Sequence, residues 1–70
     1  MMGKHSVKVN SHTTSVTLED EFWKELKVVT KNKGISLSAM ISDIDKKRRP
    51  EENLCSAIRV FILQELKKSP

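Results

Sequence analysis

Few side chains in this sequence of 70 residues could do covalent or metal chemistry: one thiol, Cys55, and two imidazoles, His5 and His12. A reactive thiolate needs a base or a positive field beside it, and nothing around Cys55 in the sequence supplies one, so it reads as a packing residue. A zinc site needs ligands at short, regular spacings, which these three residues lack. On an extended strand His5 and His12 would also point to opposite faces. The carboxylates cluster as Glu19-Asp20-Glu21 and Glu51-Glu52, where a helix start and a linker account for them. No glycine-rich phosphate loop occurs, and no nucleophile-base set. We therefore expect no catalytic residue, no metal and no cofactor. The remaining groups bind rather than react: hydroxyls at Thr13, Ser15 and Thr17, lysines at Lys4 and Lys8, and the basic run Lys46-Lys47-Arg48-Arg49. With 13 Lys and Arg against 9 Asp and Glu, the formal charge is +4, which favours a polyanionic partner.

A chain this short buries only about 60% of the surface that its unfolded form exposes. One cysteine allows no internal disulfide and suits a reducing compartment. The extra core is therefore expected from a second copy. No apolar run approaches a membrane span. No apolar segment follows Lys4 as a signal peptide would require, so the expected location is the cytoplasm, with no membrane contact and no small-molecule substrate.

Two signals of period two open the chain. Val7 and Val9 alternate with polar residues, and His12 to Leu18 is rich in β-branched residues. The first apolar pair is odd-numbered and the second, Val16 and Leu18, even-numbered, so one straight strand would split them between faces. A turn or bulge near Asn10-Ser11 resolves this. We divide the chain into an N-terminal arm with a short extended segment, residues 1–11, and a body, residues 12–70. Phe22, Leu26 and Val29, flanked by Trp23 and Thr30, then mark an amphipathic helix over about Glu19 to Lys33, closed by Gly34. Ser36 is the expected cap of a second helix with Leu37, Met40, Ile41 and Ile44 on its apolar face. Pro50 ends it, and Asn53 opens a third carrying Leu54, Ile58, Phe61, Ile62 and Leu66. The fold class is mainly α with one or two short β-strands.

A lone strand leaves its backbone groups unpaired. The simplest partner is the same strand of a second subunit, with Val16 and Leu18 turned to the helices and Thr13, Ser15 and Thr17 outward. Thr17 could instead cap the first helix, with Asp20 completing a capping box.

The run Thr13-Thr14-Ser15-Val16-Thr17-Leu18-Glu19-Asp20-Glu21-Phe22-Trp23 resembles the start of a ribbon-helix-helix domain of the MetJ/Arc superfamily. More narrowly, the chain is similar to a bacterial subfamily with a Ser-Val-x-Val arm (Ser6 to Val9) and His-x-Thr-Ser-Val-x-Leu-Glu-x-Glu-Phe-Trp (His12 to Trp23). Gly-x-Ser-Leu-Ser (Gly34 to Ser38), Ile44-Asp45 and Asn53 to Phe61 continue the likeness. The resemblance implies an intertwined homodimer with an added C-terminal helix, whose paired strands enter the major groove of double-stranded DNA as a transcriptional repressor, with tetramers on DNA as a further assembly. Carried over by position, Thr13, Ser15 and Thr17 would face base edges. Lys4, Lys8, Ser36, Leu37 and Ser38 would contact phosphates. Val16, Leu18, Phe22, Trp23, Leu37, Met40, Ile41 and Ile44 would form the dimer core. Position 13, often basic in that subfamily, is Thr13 here, and hydroxyls discriminate bases less sharply than Arg or Asn. Affinity is then expected to lean on phosphate contacts. The run from Lys46 to Arg49 reads as a solvated helix end, with a nucleic-acid patch as its rival. The alternative function is an antitoxin-like or other protein-interaction module without strong sequence-specific DNA binding.

Overall fold

The computed structural model describes residues 2–68. Strand β1 (Met2–Val9) turns into strand β2 (His12–Glu19), and helices α1 (Asp20–Lys33), α2 (Leu37–Lys47) and α3 (Leu54–Lys68) follow. The two strands form one antiparallel sheet, with Val9 opposite His12 and Met2 opposite Glu19. β2 thus finds its first partner in β1 of its own chain, where the sequence had suggested a second copy. The sequence marked β1 only as a short extended segment in an N-terminal arm, because Val7 and Val9 are its sole apolar alternation.

The turn is Asn10-Ser11, both with positive φ, at 48° and 75°. Two left-handed residues in a row make the primed turn whose twist matches a hairpin. They also settle the parity conflict. Paired residue numbers sum to 21, so odd positions of β1 share a face with even positions of β2. Val7, Val9, Val16 and Leu18 therefore lie together on the inner face, all buried.

Each helix covers that face with the residues its spacing selects: Leu26, Val29 and Thr30 from α1, Met40, Ile41 and Ile44 from α2, and Ala57, Ile58 and Ile62 from α3. Burying one such Ile or Leu stabilises by about 1.5–3 kcal/mol. The one buried polar residue among those described, Thr30, donates to the Lys27 carbonyl at 2.8 Å.

The helix ends follow local chemistry. Gly34, at φ 69°, closes α1 while the Gly34 and Ile35 amides donate to the carbonyls of Lys31 and Thr30, the Schellman arrangement. Ser36 caps α2 by accepting from the Ala39 amide at 3.0 Å, and Asn53 caps α3 by accepting from Ser56 at 2.8 Å. The capping box suggested for Thr17 and Asp20 does not form: Thr17 lies within β2, and the residue preceding α1 is Glu19, whose side chain makes no cap bond. Between α2 and α3, Arg48 donates to Asp45 at 2.7 Å and to the Glu52 carbonyl at 2.6 Å, bracing the linker that Pro50 opens.

Asn tolerates the left-handed region, whereas Ser11 carries about 1–2 kcal/mol of steric cost there. Ser11→Gly removes that cost and returns about 0.5–1 kcal/mol in chain entropy. We expect a net gain of up to about 1 kcal/mol, read as a higher urea midpoint at fixed protein concentration. An unchanged or lower midpoint would mean that Ser11 is not strained.

Candidate nucleic-acid interface

The outer face of the hairpin collects the residues that the sequence singled out for binding. Lys4, Ser6 and Lys8 of β1 lie opposite Thr17, Ser15 and Thr13 of β2, and all six are exposed. Alternation explains the gathering: the inner face takes the valines and Leu18, so the hydroxyls and lysines are turned out together. The patch holds two cations and four hydroxyls, and neither lysine is paired with a carboxylate among the described residues.

The second part of the site is the start of α2. The Ser38 hydroxyl donates to the Lys8 carbonyl at 2.6 Å, which fixes the α2 N-terminus against the β1 edge. The first amides of any helix have no partner within it. Ser36 satisfies that of Ala39, so those of Leu37 and Ser38 are the ones offered to an anion. Ser36 and Ser38 are exposed, and Leu37 is half-buried against the core. The structure therefore brings Lys8, Ser36, Leu37 and Ser38 to one corner, with Lys4 further along the same strand. The Ser38 bond had no signal in the sequence, since it joins residues 30 apart.

The Ser38 bond also reveals the phase of the ladder. Backbone groups on a strand point alternately toward and away from the paired strand. The Lys8 carbonyl points away from β2, so Lys8–Thr13, Ser6–Ser15 and Lys4–Thr17 are the pairs without mutual hydrogen bonds. The amides and carbonyls of Thr13, Ser15 and Thr17 hence point away from β1, to the far edge of β2. No other described backbone group bonds to them.

Of the residues assigned to a dimer core, Val16, Leu18, Met40, Ile41 and Ile44 are already buried within one chain. Phe22, Trp23 and Leu37 are only half-buried beside that core. Trp23 stacks face to face on His5, ring centroids 3.7 Å apart, and so ties α1 to β1. His12 is exposed beside the turn. In the basic run, Lys47 pairs with Asp43 and Arg48 with Asp45, whereas Lys46 and Arg49 are exposed. Among the described residues, no helix is long and apolar enough to cross a membrane.

A family model described as "Ribbon-helix-helix domain" matches residues 2–66, nearly the whole chain. No curated protein and no solved structure matches the chain.

Two ion pairs hold α3 to the elements that carry the site. Arg59 donates to Glu19 at 3.0 Å, at the junction of β2 and α1, and Lys33 pairs with Glu65 at 3.2 Å. The Glu19 carboxyl is held below its ordinary 4.5, first by its own backbone amide and then by Arg59. The Glu65 carboxyl is lowered by its bonds from Lys68 and Lys33. A lowered folded value means a contribution complete above the ordinary carboxylate range and lost as pH falls through the folded value. In thermal melts followed by circular dichroism, the wild-type midpoint should fall on acidification below pH 4.5. A Glu19→Gln, Glu65→Gln double variant should begin lower at neutral pH and fall less steeply. Parallel curves for the two proteins would remove these carboxylates from the acid response.

Proposed function

The chain belongs to the ribbon-helix-helix domain family, whose members generally bind DNA as dimeric transcription regulators, and on that premise we propose that it is a DNA-binding homodimer that represses transcription by seating its sheet in the major groove. The observation that carries this is the order of parts across the outer face: the α2 N-terminus, then the lysine strand β1, then the hydroxyl strand β2 with its far edge open.

A second β2 on that open edge, antiparallel about Ser15, sets Thr13 of one protomer beside Thr17 of the other. It keeps Thr13, Ser15 and Thr17 outward and Val16 and Leu18 inward. Strands about 4.8 Å apart then put the two β1 strands about 14 Å apart. The major groove is about 12 Å wide. The paired β2 strands enter it, carrying Thr13, Ser15 and Thr17 to the base edges. Lys4, Lys8 and the Leu37 and Ser38 amides at the Ser36 cap fall over the flanking phosphates. In this reading residues 1–11 are the phosphate-contacting arm, and residues 12–70 hold the base-facing strand and the core. Phe22, Trp23 and Leu37, half-buried in one chain, complete the dimer core with Val16, Leu18, Met40, Ile41 and Ile44. A protein so seated represses by occupying promoter DNA, and its place is the cytoplasm, with the chromosome. Ribbon-helix-helix domains are regulators rather than enzymes, and no catalytic role is proposed.

Fluorescence anisotropy with duplex fragments at two salt concentrations tests the docking. Binding should weaken steeply with salt, and the slope should shrink by roughly 0.9 for each phosphate-contacting lysine removed by Lys4→Ala or Lys8→Ala. Thr13→Glu should lower affinity more than tenfold without changing the sedimenting species. A folded protein that ignores duplex DNA at low salt would overturn the proposal.

The pairing edge is tested by Ser15→Pro. Its amide points away from β1, so the hairpin survives the missing donor, but a ladder on the far edge does not. We expect loss of the dimer in sedimentation. A dimer that survives puts the interface elsewhere.

A further inference from the structure

Helix α3 is apolar on both sides. Ile58 and Ile62 fill the core, yet Val60, Leu63 and Leu66 on the other side remain 46%, 51% and 48% exposed. Along the outer face, Ser56, Val60, Leu63 and Lys67 follow steps of four, three and four, the spacing that keeps one stripe facing a partner helix. The inner face of the sheet is the one on which the helices pack, so this stripe lies away from the outer hairpin face.

The charges around the stripe are arranged head to tail. At the start of α3 stand Glu51 and Glu52, neither in an ion pair among the described residues. The nearby cations Lys47 and Arg48 are held by Asp43 and Asp45. At the other end stand Lys67 and Lys68 in the last turn. Lys67 has no carboxylate partner among the described residues, and Lys68, itself exposed, shares the half-buried Glu65 with Lys33. Two such helices laid antiparallel place Val60 against Leu63 of the other and Lys67 against its Ser56, one turn from its Glu52. Both ends then meet opposite charge, and the helix dipoles oppose favourably. A parallel pair would set lysines beside lysines.

We propose that α3 is a self-association surface that pairs antiparallel with α3 of a second copy, through Val60 and Leu63, with Lys67–Lys68 of each helix about one turn from Glu51–Glu52 of the other. The apolar stripe is two residues deep, so this is a weak contact, below the size of a stable interface. Its residues are not those of the β2 edge, and we take it to join one β2-paired dimer to another. Concentrated protein, or dimers held side by side on DNA, would populate it. The inference does not depend on DNA binding.

Sedimentation equilibrium of the full chain over a wide concentration range, without DNA, tests it. The wild-type average mass should rise with concentration toward twice that of the dilute species. Leu63→Glu, whose side chain is exposed and leaves the fold intact by circular dichroism, should abolish the rise. Lys67→Glu with Lys68→Glu should abolish it too. Adding Glu51→Lys and Glu52→Lys to that charge-reversed chain should restore it, as an antiparallel pair alone requires. A wild-type mass that does not rise, a rise that persists in Leu63→Glu, or no restoration by the fourfold reversal would each overturn the proposal. DNA binding by Leu63→Glu at an isolated site, measured separately, should be unchanged, so that loss of association is distinguishable from loss of the DNA reading.

Discussion

A two-residue turn with both φ angles positive admits one phase for the strands on either side of it. Asn10 and Ser11 impose that phase here, and the rest of the molecule follows from it. Paired numbers summing to 21 bring Val7 and Val9 onto the face of Val16 and Leu18, creating a continuous apolar surface that three amphipathic helices can cover. The opposite face inherits what is left, which is two lysines and four hydroxyls. A turn longer by one residue would carry one strand's side chains to the other face, burying Lys4 and Lys8 or exposing Val7 and Val9. The core and the candidate interface are thus two sides of one register, and neither can be altered without the other.

The edges of the sheet divide the labour further. One edge is capped by the Ser38 hydroxyl on the Lys8 carbonyl, which both satisfies a strand carbonyl and holds the start of α2 where its free amides stand beside the lysines. The other edge carries the backbone groups of Thr13, Ser15 and Thr17 without a partner among the described residues. An open edge is a template for pairing, and natural proteins block it unless it has a use. No proline or bulge blocks it, and its outward side chains are uncharged hydroxyls. The physics of the edge and the family's habit of dimerisation therefore point the same way.

Much of this was legible in the sequence where local rules act alone. Ser36, Asn53, Gly34 and Pro50 mark helix ends by their own chemistry, and each stands where expected. Of the apolar residues that the helix spacings singled out, Leu26, Val29, Met40, Ile41, Ile44, Ile58 and Ile62 are buried. Phe22, Leu37, Leu54 and Phe61 are half-buried and Leu66 is exposed, while the buried Ala57 was not singled out. The parity of the valines even demanded a turn at Asn10-Ser11. What the residues did not disclose was pairing at a distance. Whether β2 meets β1 or a second chain is a competition between a short loop and a bimolecular contact, and no residue type records the winner. The same holds for Arg59 on Glu19 and His5 on Trp23, which depend on how α3 and α1 happen to cross the sheet. Thr17 shows the limit of local signals in the other direction: a serviceable helix cap by type, it is held in β2 because the ladder to Lys4 continues through it.

Size supplies the last constraint. A domain of this length has too little interior to bury three helices on both sides, so each helix must keep a polar flank or find a partner. Helices α1 and α2 keep theirs, with lysines and carboxylates on the outer surface. α3 keeps Gln64, Lys67 and Lys68 outward but adds Val60, Leu63 and Leu66, each about half exposed. Apolar residues scattered singly would need no explanation, but a stripe at partner-helix spacing between ends of opposite charge has a direction as well as an area. On the readings proposed above, the fold would have three surfaces with separate uses: a sheet face for a polyanion, a strand edge for one copy, and an outer helix for another.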